Sequence, residues 1–183
     1  DLDVCSSAEW ESVAKTHTSH RVCSTCQSCA AGKFRAGCGG SAEGTCTACS
    51  AGTYKDGPGT WNAVCTACDP GSSSGAGAKA CVACATGTYQ ERDGQAQCES
   101  CSSCAAGRVM AGCGLASAGS CTECADGTYK VEEGAWDATC KSCAKGRYGN
   151  MAFGKGTASY CQDCDTGKFQ LLGAQIACQQ CST

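Results

Sequence analysis

Cysteine is placed along this chain in a pattern that repeats. Cys23, Cys26, Cys29, Cys38, Cys46, Cys49, Cys65 and Cys68 recur 75 residues later as Cys98, Cys101, Cys104, Cys113, Cys121, Cys124, Cys140 and Cys143. Cys81, Cys84 and Cys98 then recur as Cys161, Cys164 and Cys178, shifted by 80, with the five extra residues falling after Cys143. The intervening sequence keeps the same register. Cys29-Ala-Ala-Gly-Lys-Phe-Arg-Ala-Gly-Cys38 matches Cys104-Ala-Ala-Gly-Arg-Val-Met-Ala-Gly-Cys113, and Trp61 matches Trp136. The pattern divides the chain into an entry loop (1–22), two super-repeats (23–97 and 98–177) and the start of a third (178–183).

With 23 cysteines in 183 residues and only 15 Leu, Ile, Val and Phe, the chain has the composition of a disulfide scaffold. It cannot build the aliphatic core usual at this length, so covalent cross-links must stand in for burial. A smaller motif, Cys-x-x-Gly-x-aromatic, runs inside the super-repeat: Cys29…Gly32…Phe34, Cys49…Gly52…Tyr54, Cys84…Gly87…Tyr89, Cys124…Gly127…Tyr129, Cys143…Gly146…Tyr148 and Cys164…Gly167…Phe169. The glycine supplies a tight turn with positive φ. The aromatic ring then packs over the neighbouring disulfide; the alternative is an exposed aromatic ladder that binds a ligand.

These spacings resemble two families. Cys5, Cys23, Cys26, Cys29, Cys38 and Cys46 resemble the six-cysteine module of the tumour necrosis factor receptor family, as do Cys84, Cys98, Cys101, Cys104, Cys113 and Cys121. The resemblance implies pairs 1–2, 3–5 and 4–6: Cys5–Cys23, Cys26–Cys38 and Cys29–Cys46, then Cys84–Cys98, Cys101–Cys113 and Cys104–Cys121. The stretches between are similar to the ephrin-receptor-like cysteine-rich repeat, which implies the single loops Cys49–Cys65, Cys68–Cys81, Cys124–Cys140, Cys143–Cys161 and Cys164–Cys178. Spacing alone does not prove any connectivity.

This scheme leaves Cys181 unpaired. By register with Cys26 and Cys101 its partner falls 12 residues further on, past Thr183, so the natural chain is expected to continue. A free or intermolecular thiol is the alternative. The fold expected is small and disulfide-rich: an elongated rod of tandem modules with short β-hairpins and little regular secondary structure. Ala8 to Lys15 is compatible with a helical turn or two.

Other chemistries are poorly supported. Cys46-x2-Cys49-x15-Cys65-x2-Cys68 and Cys121-x2-Cys124-x15-Cys140-x2-Cys143 match a zinc-ribbon spacing. However, Cys29, Cys38, Cys81 and Cys84 continue the same ladder without grouping into fours, so no metal or other cofactor is expected. A thioredoxin-type site needs a βαβ scaffold that is not visible. His17 and His20 share one Ser/Thr-rich loop and read as solvated residues. Asp56-Gly57 and Glu132-Glu133 sit at matching loop tips as turn residues, and no calcium-loop run exists. The chain is therefore expected not to be an enzyme.

Net charge is −3 with the two signs interleaved and no basic stripe, so nucleic acid is not an expected partner. No apolar run reaches membrane-span length, so no direct membrane insertion is expected in this segment. Asn62 and Asn150 lie outside N-glycosylation sequons, whereas Ser and Thr are abundant enough for O-linked glycans. Trp61 and Trp136 are candidate contact residues, although packing on their own glycine-rich loops is the favoured reading. The sequence thus points to an extracellular or cell-surface repeat protein, a spacer, adhesive rod or filament subunit, with protein partners or self-assembly. The alternative is a receptor-like ectodomain that binds a protein ligand along its side.

Overall fold

Bridges close loops of only 12 to 18 residues here, which leaves room for little besides a turn and two short strands. The computed structural model describes residues 4–181 and falls into two compact units: Asp1–Ala85 with Gln90–Glu99, and Thr86–Tyr89 with Ser100–Thr183.

The first unit is a series of antiparallel hairpins. β1 (Glu9–Val13) pairs with β2 (Val22–Thr25), β3 (Lys33–Ala36) with β4 (Thr45–Ala48), β5 (Thr53–Tyr54) with β6 (Thr66–Ala67), and β7 (Ser72–Ser73) with β8 (Val82–Ala83). β1 occupies the stretch that the sequence left open to a helical turn. The Cys5–Cys23 bridge holds it beside β2, and strand pairing overrides weak helix propensity.

Two more two-residue strands follow, β9 (Thr88–Tyr89) and β10 (Glu99–Ser100). In the second unit β11 (Arg108–Ala111) pairs with β12 (Ser120–Glu123), and β13 (Thr128–Tyr129) pairs with β14 (Lys141–Ser142). β15 (Arg147–Gly149) pairs with β16 (Cys161–Asp163), and β17 (Lys168–Phe169) pairs with β18 (Gln179–Gln180). One 3₁₀ turn, Ala158–Tyr160, lies in the five-residue insertion region.

The interior of both units is sulfur. The buried apolar residues are Cys26, Cys29, Cys49, Cys68, Cys84, Cys101, Cys104, Cys124, Cys143 and Cys161, with Tyr160 the one aromatic among them. The motif aromatics Phe34, Tyr54, Tyr89, Tyr129, Tyr148 and Phe169 are half-buried. The motif glycines do adopt positive φ, from +74° at Gly127 to +86° at Gly167.

The backbone supplies what the side chains lack. In each module the glycine carbonyl accepts the amide of the cysteine that follows its hairpin. Cys49 N donates to Gly32 O (2.9 Å), Cys68 N to Gly52 O (2.9 Å), Cys124 N to Gly107 O (2.8 Å) and Cys143 N to Gly127 O (2.8 Å). The same glycine's amide donates onward to the next module: Gly32 N to Lys55 O (2.8 Å), Gly52 N to Ser74 O (2.7 Å) and Gly107 N to Lys130 O (2.7 Å). Close approach makes the glycine necessary, since a Cβ at Gly52 would lie 1.9 Å from the Gly94 carbonyl oxygen. Main-chain hydrogen bonds thus link neighbouring modules.

Candidate functional site

The cysteines pair locally. The first unit holds Cys5–Cys23, Cys26–Cys38, Cys29–Cys46, Cys49–Cys65, Cys68–Cys81 and Cys84–Cys98. The second holds Cys101–Cys113, Cys104–Cys121, Cys124–Cys140, Cys143–Cys161 and Cys164–Cys178. The four cysteines of each zinc-ribbon spacing belong to three different bridges, so their sulfurs are not available as thiolate ligands. Among the described residues no three His, Cys, Asp or Glu side chains converge on a point. Cys181 is free and exposed, and its amide donates to Gly167 O (2.9 Å), the bond that Cys124 and Cys143 make in their own modules.

Side chains that the sequence reading passed over complete the clamp between modules. Lys55 and Lys130 occupy the same register position and are both buried. Lys55 Nζ donates to the carbonyls of Cys29 (2.9 Å) and Pro58 (2.6 Å), and Lys130 Nζ donates to the carbonyl of Cys104 (2.8 Å). A third lysine, Lys155, donates to the carbonyl of Cys124 (2.7 Å) and pairs with Asp126 (2.7 Å). The hydrogen bond that Lys155 donates to the Asp126 carboxylate holds the pKa of its ammonium above the ordinary value. An ammonium with three donors suits a carbonyl that a bridge has pulled out of water. Lys55 and Lys130 were legible in principle, because both follow a Gly-Thr-Tyr turn in register.

Tyr160 lies in the loop that the insertion lengthens, at the position of Ala80 in the earlier copy. It is fully buried against Cys143 and Cys161, and its hydroxyl accepts the Gly127 amide at 3.0 Å. In the preceding super-repeat the matching glycine, Gly52, donates to a main-chain carbonyl instead. The lengthened loop therefore supplies from a side chain an acceptor that its own path does not provide.

Trp136 packs directly on Gly87, where a Cβ would sit 2.7 Å from the indole Nε1. It also walls a shallow groove of about 510 Å3 with Val109 and Met110. Trp61 is half-buried, and the corresponding groove of about 310 Å3 in the first unit is lined by Phe34 and Val64. His17 and His20 are exposed beside the Thr16–Ser19 turn. Glu133 accepts the Ser103 hydroxyl, whereas Glu132 and Asp56 face solvent. No two of these groups are brought together as an acid–base pair.

Among the described residues no helix is long and apolar enough to cross a membrane. Residues 71–109 match the family model of tyrosine-protein kinase ephrin type A/B receptor-like repeats. No curated protein sequence matches the chain. Among solved structures it is similar to a chain of the crystal structure of the mouse RANKL–OPG complex, at 22% identity and a TM-score of 0.28, over 69% of this chain and 96% of that one. The family match covers residues 71–109, and bridged cysteine-rich hairpins continue on both sides of it, from Cys5–Cys23 to Cys164–Cys178.

Proposed function

We propose that the chain is a non-catalytic, extracellular structural repeat: a spacer, adhesive rod or filament subunit of a cell-surface assembly. The observation that carries this reading is the reuse of one inter-module clamp. Lys55 and Lys130 hold the carbonyls of Cys29 and Cys104, and the glycine bonds around them recur at the same shift. A clamp that repeats with the sequence adds modules in series, so each touches mainly its neighbours. Bridges suit this use, because they resist extension where an apolar interface of this size would not. The cross-linking also fits an oxidising compartment.

Small-angle scattering tests the rod. A globular chain of this length has a radius of gyration of roughly 16 Å. The proposed rod gives a value well above that, with a long tail in the distance distribution; a globular value contradicts it.

A second reading has one observation in its favour, the receptor-like family match over residues 71–109. It makes the chain part of an ectodomain that binds a protein ligand along its side. A full-length sequence continuing into a membrane span and a cytoplasmic domain supports it; one continuing into many further super-repeats supports the structural role.

A further inference from the structure

Aspartate is followed by glycine three times, at Asp56-Gly57, Asp93-Gly94 and Asp126-Gly127. In such a pair the side-chain carboxyl can reach the next main-chain nitrogen, and glycine has no Cβ to block the approach. The reaction between them is set by how readily the loop brings the two atoms into line. The structure holds the three pairs differently.

Two of them are pinned. Gly94 N donates to Cys68 O (2.8 Å) at a φ of +67°, and the Asp93 carbonyl accepts Gln95 Nε2 (3.0 Å). Gly127 is buried at a φ of +74°, and its amide donates to the Tyr160 hydroxyl (3.0 Å). The Asp126 carboxylate is itself held by Lys155 Nζ at 2.7 Å. An amide engaged as a donor in a packed loop cannot swing toward the carboxyl until that bond opens.

Asp56-Gly57 lacks these restraints. Asp56 is exposed, and among the described residues neither its carboxyl nor the Gly57 amide makes a hydrogen bond. A Cβ at Gly57 would meet nothing within 4 Å. The pair also sits beside the first inter-module clamp. Lys55 Nζ holds Pro58 O at 2.6 Å across Asp56 and Gly57, and Lys55 O accepts the Gly32 amide at 2.8 Å. The second copy has Val131-Glu132 at this register, so the Lys130 clamp carries no such pair.

We propose that Asp56-Gly57 is a site of spontaneous isomerisation to isoaspartate, which loosens the Lys55 clamp and leaves the Lys130 clamp intact. The Gly57 nitrogen loses its proton and bonds to Cγ of Asp56, while a carboxyl oxygen leaves as water, closing a succinimide ring. Water then adds to one of the two ring carbonyls. Addition at the main-chain carbonyl carbon breaks its bond to the Gly57 nitrogen, and the chain thereafter runs through Cβ and Cγ. Addition at Cγ restores aspartate. The water lost is regained, so no other reagent is consumed and the mass is unchanged. The extra backbone carbon falls between Lys55 and Pro58, whose carbonyl Lys55 must reach. The chemistry belongs to this loop and does not depend on the structural-repeat reading.

Prolonged incubation of the fully bridged chain at neutral pH tests it, with peptide mapping by electron-transfer fragmentation to locate isoaspartate. Conversion at Asp56 is expected to run at least about tenfold faster than at Asp93 or Asp126, because those two require local opening first. It is expected to carry oxygen-18 from labelled water into residue 56. In the reduced and alkylated chain the three pairs are expected to convert at comparable rates, since the fold alone separates them. The isoaspartyl form, isolated by chromatography, is expected to exchange the Gly32 amide at least about tenfold faster than the parent chain. Its Gly107 amide, bonded to Lys130 O, keeps the parent rate. Conversion at Asp93 or Asp126 that matches Asp56 overturns the proposal. So does a bridged chain that leaves Asp56 unconverted while the reduced chain converts it. A Gly32 exchange rate unchanged by isoaspartate, or a Gly107 rate raised equally, overturns the effect on the clamp.

Discussion

Lys55 shows how a chain without an aliphatic core handles its polar groups. The Cys29 carbonyl is drawn inward by its bridge and must be hydrogen-bonded there, because an unpaired buried carbonyl costs more than the bond itself contributes. Lys55 Nζ meets this need along with the Pro58 carbonyl. Lys55→Met is expected to lower stability by about 1.5–3 kcal/mol in urea denaturation with all bridges intact. Lys79→Met, on an exposed lysine without such bonds, leaves the midpoint unchanged.

Glycine separates two costs at the same scale. Gly146 has a φ of +79° with open space around it, whereas Gly52, at +85°, faces the Gly94 carbonyl. Gly146→Ala is expected to cost about 1–2 kcal/mol from the left-handed backbone alone. Gly52→Ala adds a clash with main chain that cannot rotate away. Its loss exceeds that of Gly146→Ala in the same denaturation, and equal losses would disprove the close approach.

At the scale of the element, strands of two or three residues cannot hold themselves together and borrow from what flanks them. The β15–β16 hairpin does so with a cross-strand pair, Arg147 Nε to Asp163 Oδ1 at 2.8 Å. The hydrogen bond from Arg147, and then its charge, hold the Asp163 carboxyl below the ordinary aspartate value. A depressed carboxylate stabilises the hairpin above the unfolded value of about 3.9, and that contribution is lost as pH falls through the lower folded one. Carboxyl NMR titration is expected to place the Asp163 midpoint below that of a model aspartate, and Arg147→Gln to raise it. Both side chains are solvent-exposed, so added salt weakens the effect.

Much at this scale was legible in advance. Regular cysteine spacing and the Gly-x-aromatic turn point directly to short cross-linked hairpins, since a 12–18-residue bridged loop admits little else. The strand at Glu9–Val13 was not legible, because its local sequence is indifferent and the Cys5–Cys23 bridge, with its pairing to Val22–Thr25, decides it. The lysine clamp was missed for a different reason: a lysine normally reads as surface, and its burial follows from a carbonyl that only the folded bridge creates. Tyr160 stands where the earlier copy has Ala80, in the loop that the insertion lengthens, so the repeat itself did not mark it.

For the whole molecule, cross-links take the role that apolar area has in an ordinary domain. Closing a loop of about 15 residues contributes about 3 kcal/mol in the entropic account, and neighbouring bridges share part of that gain. Each bridge lies within one compact unit, and the buried surface is mostly half-cystine. Little apolar driving force remains once the bridges are gone, since Tyr160 is the one buried aromatic among the described residues.

The two super-repeats are alike in their clamps and unlike in their surfaces. Leu171, Leu172 and Ile176 stand where the earlier copy carries Glu91, Arg92 and Ala96, so the framework is kept while its outward face varies. That separation leaves the outward face free to differ between modules that share one framework.

The most direct test of this account is reduction without denaturant. Treated with a phosphine reductant at neutral pH and followed by amide NMR, the chain is expected to lose its dispersed spectrum completely. Reoxidation and peptide mapping should then return only bridges local in sequence. A reduced chain that kept its dispersion would show that burial, and not the bridge ladder, holds the fold.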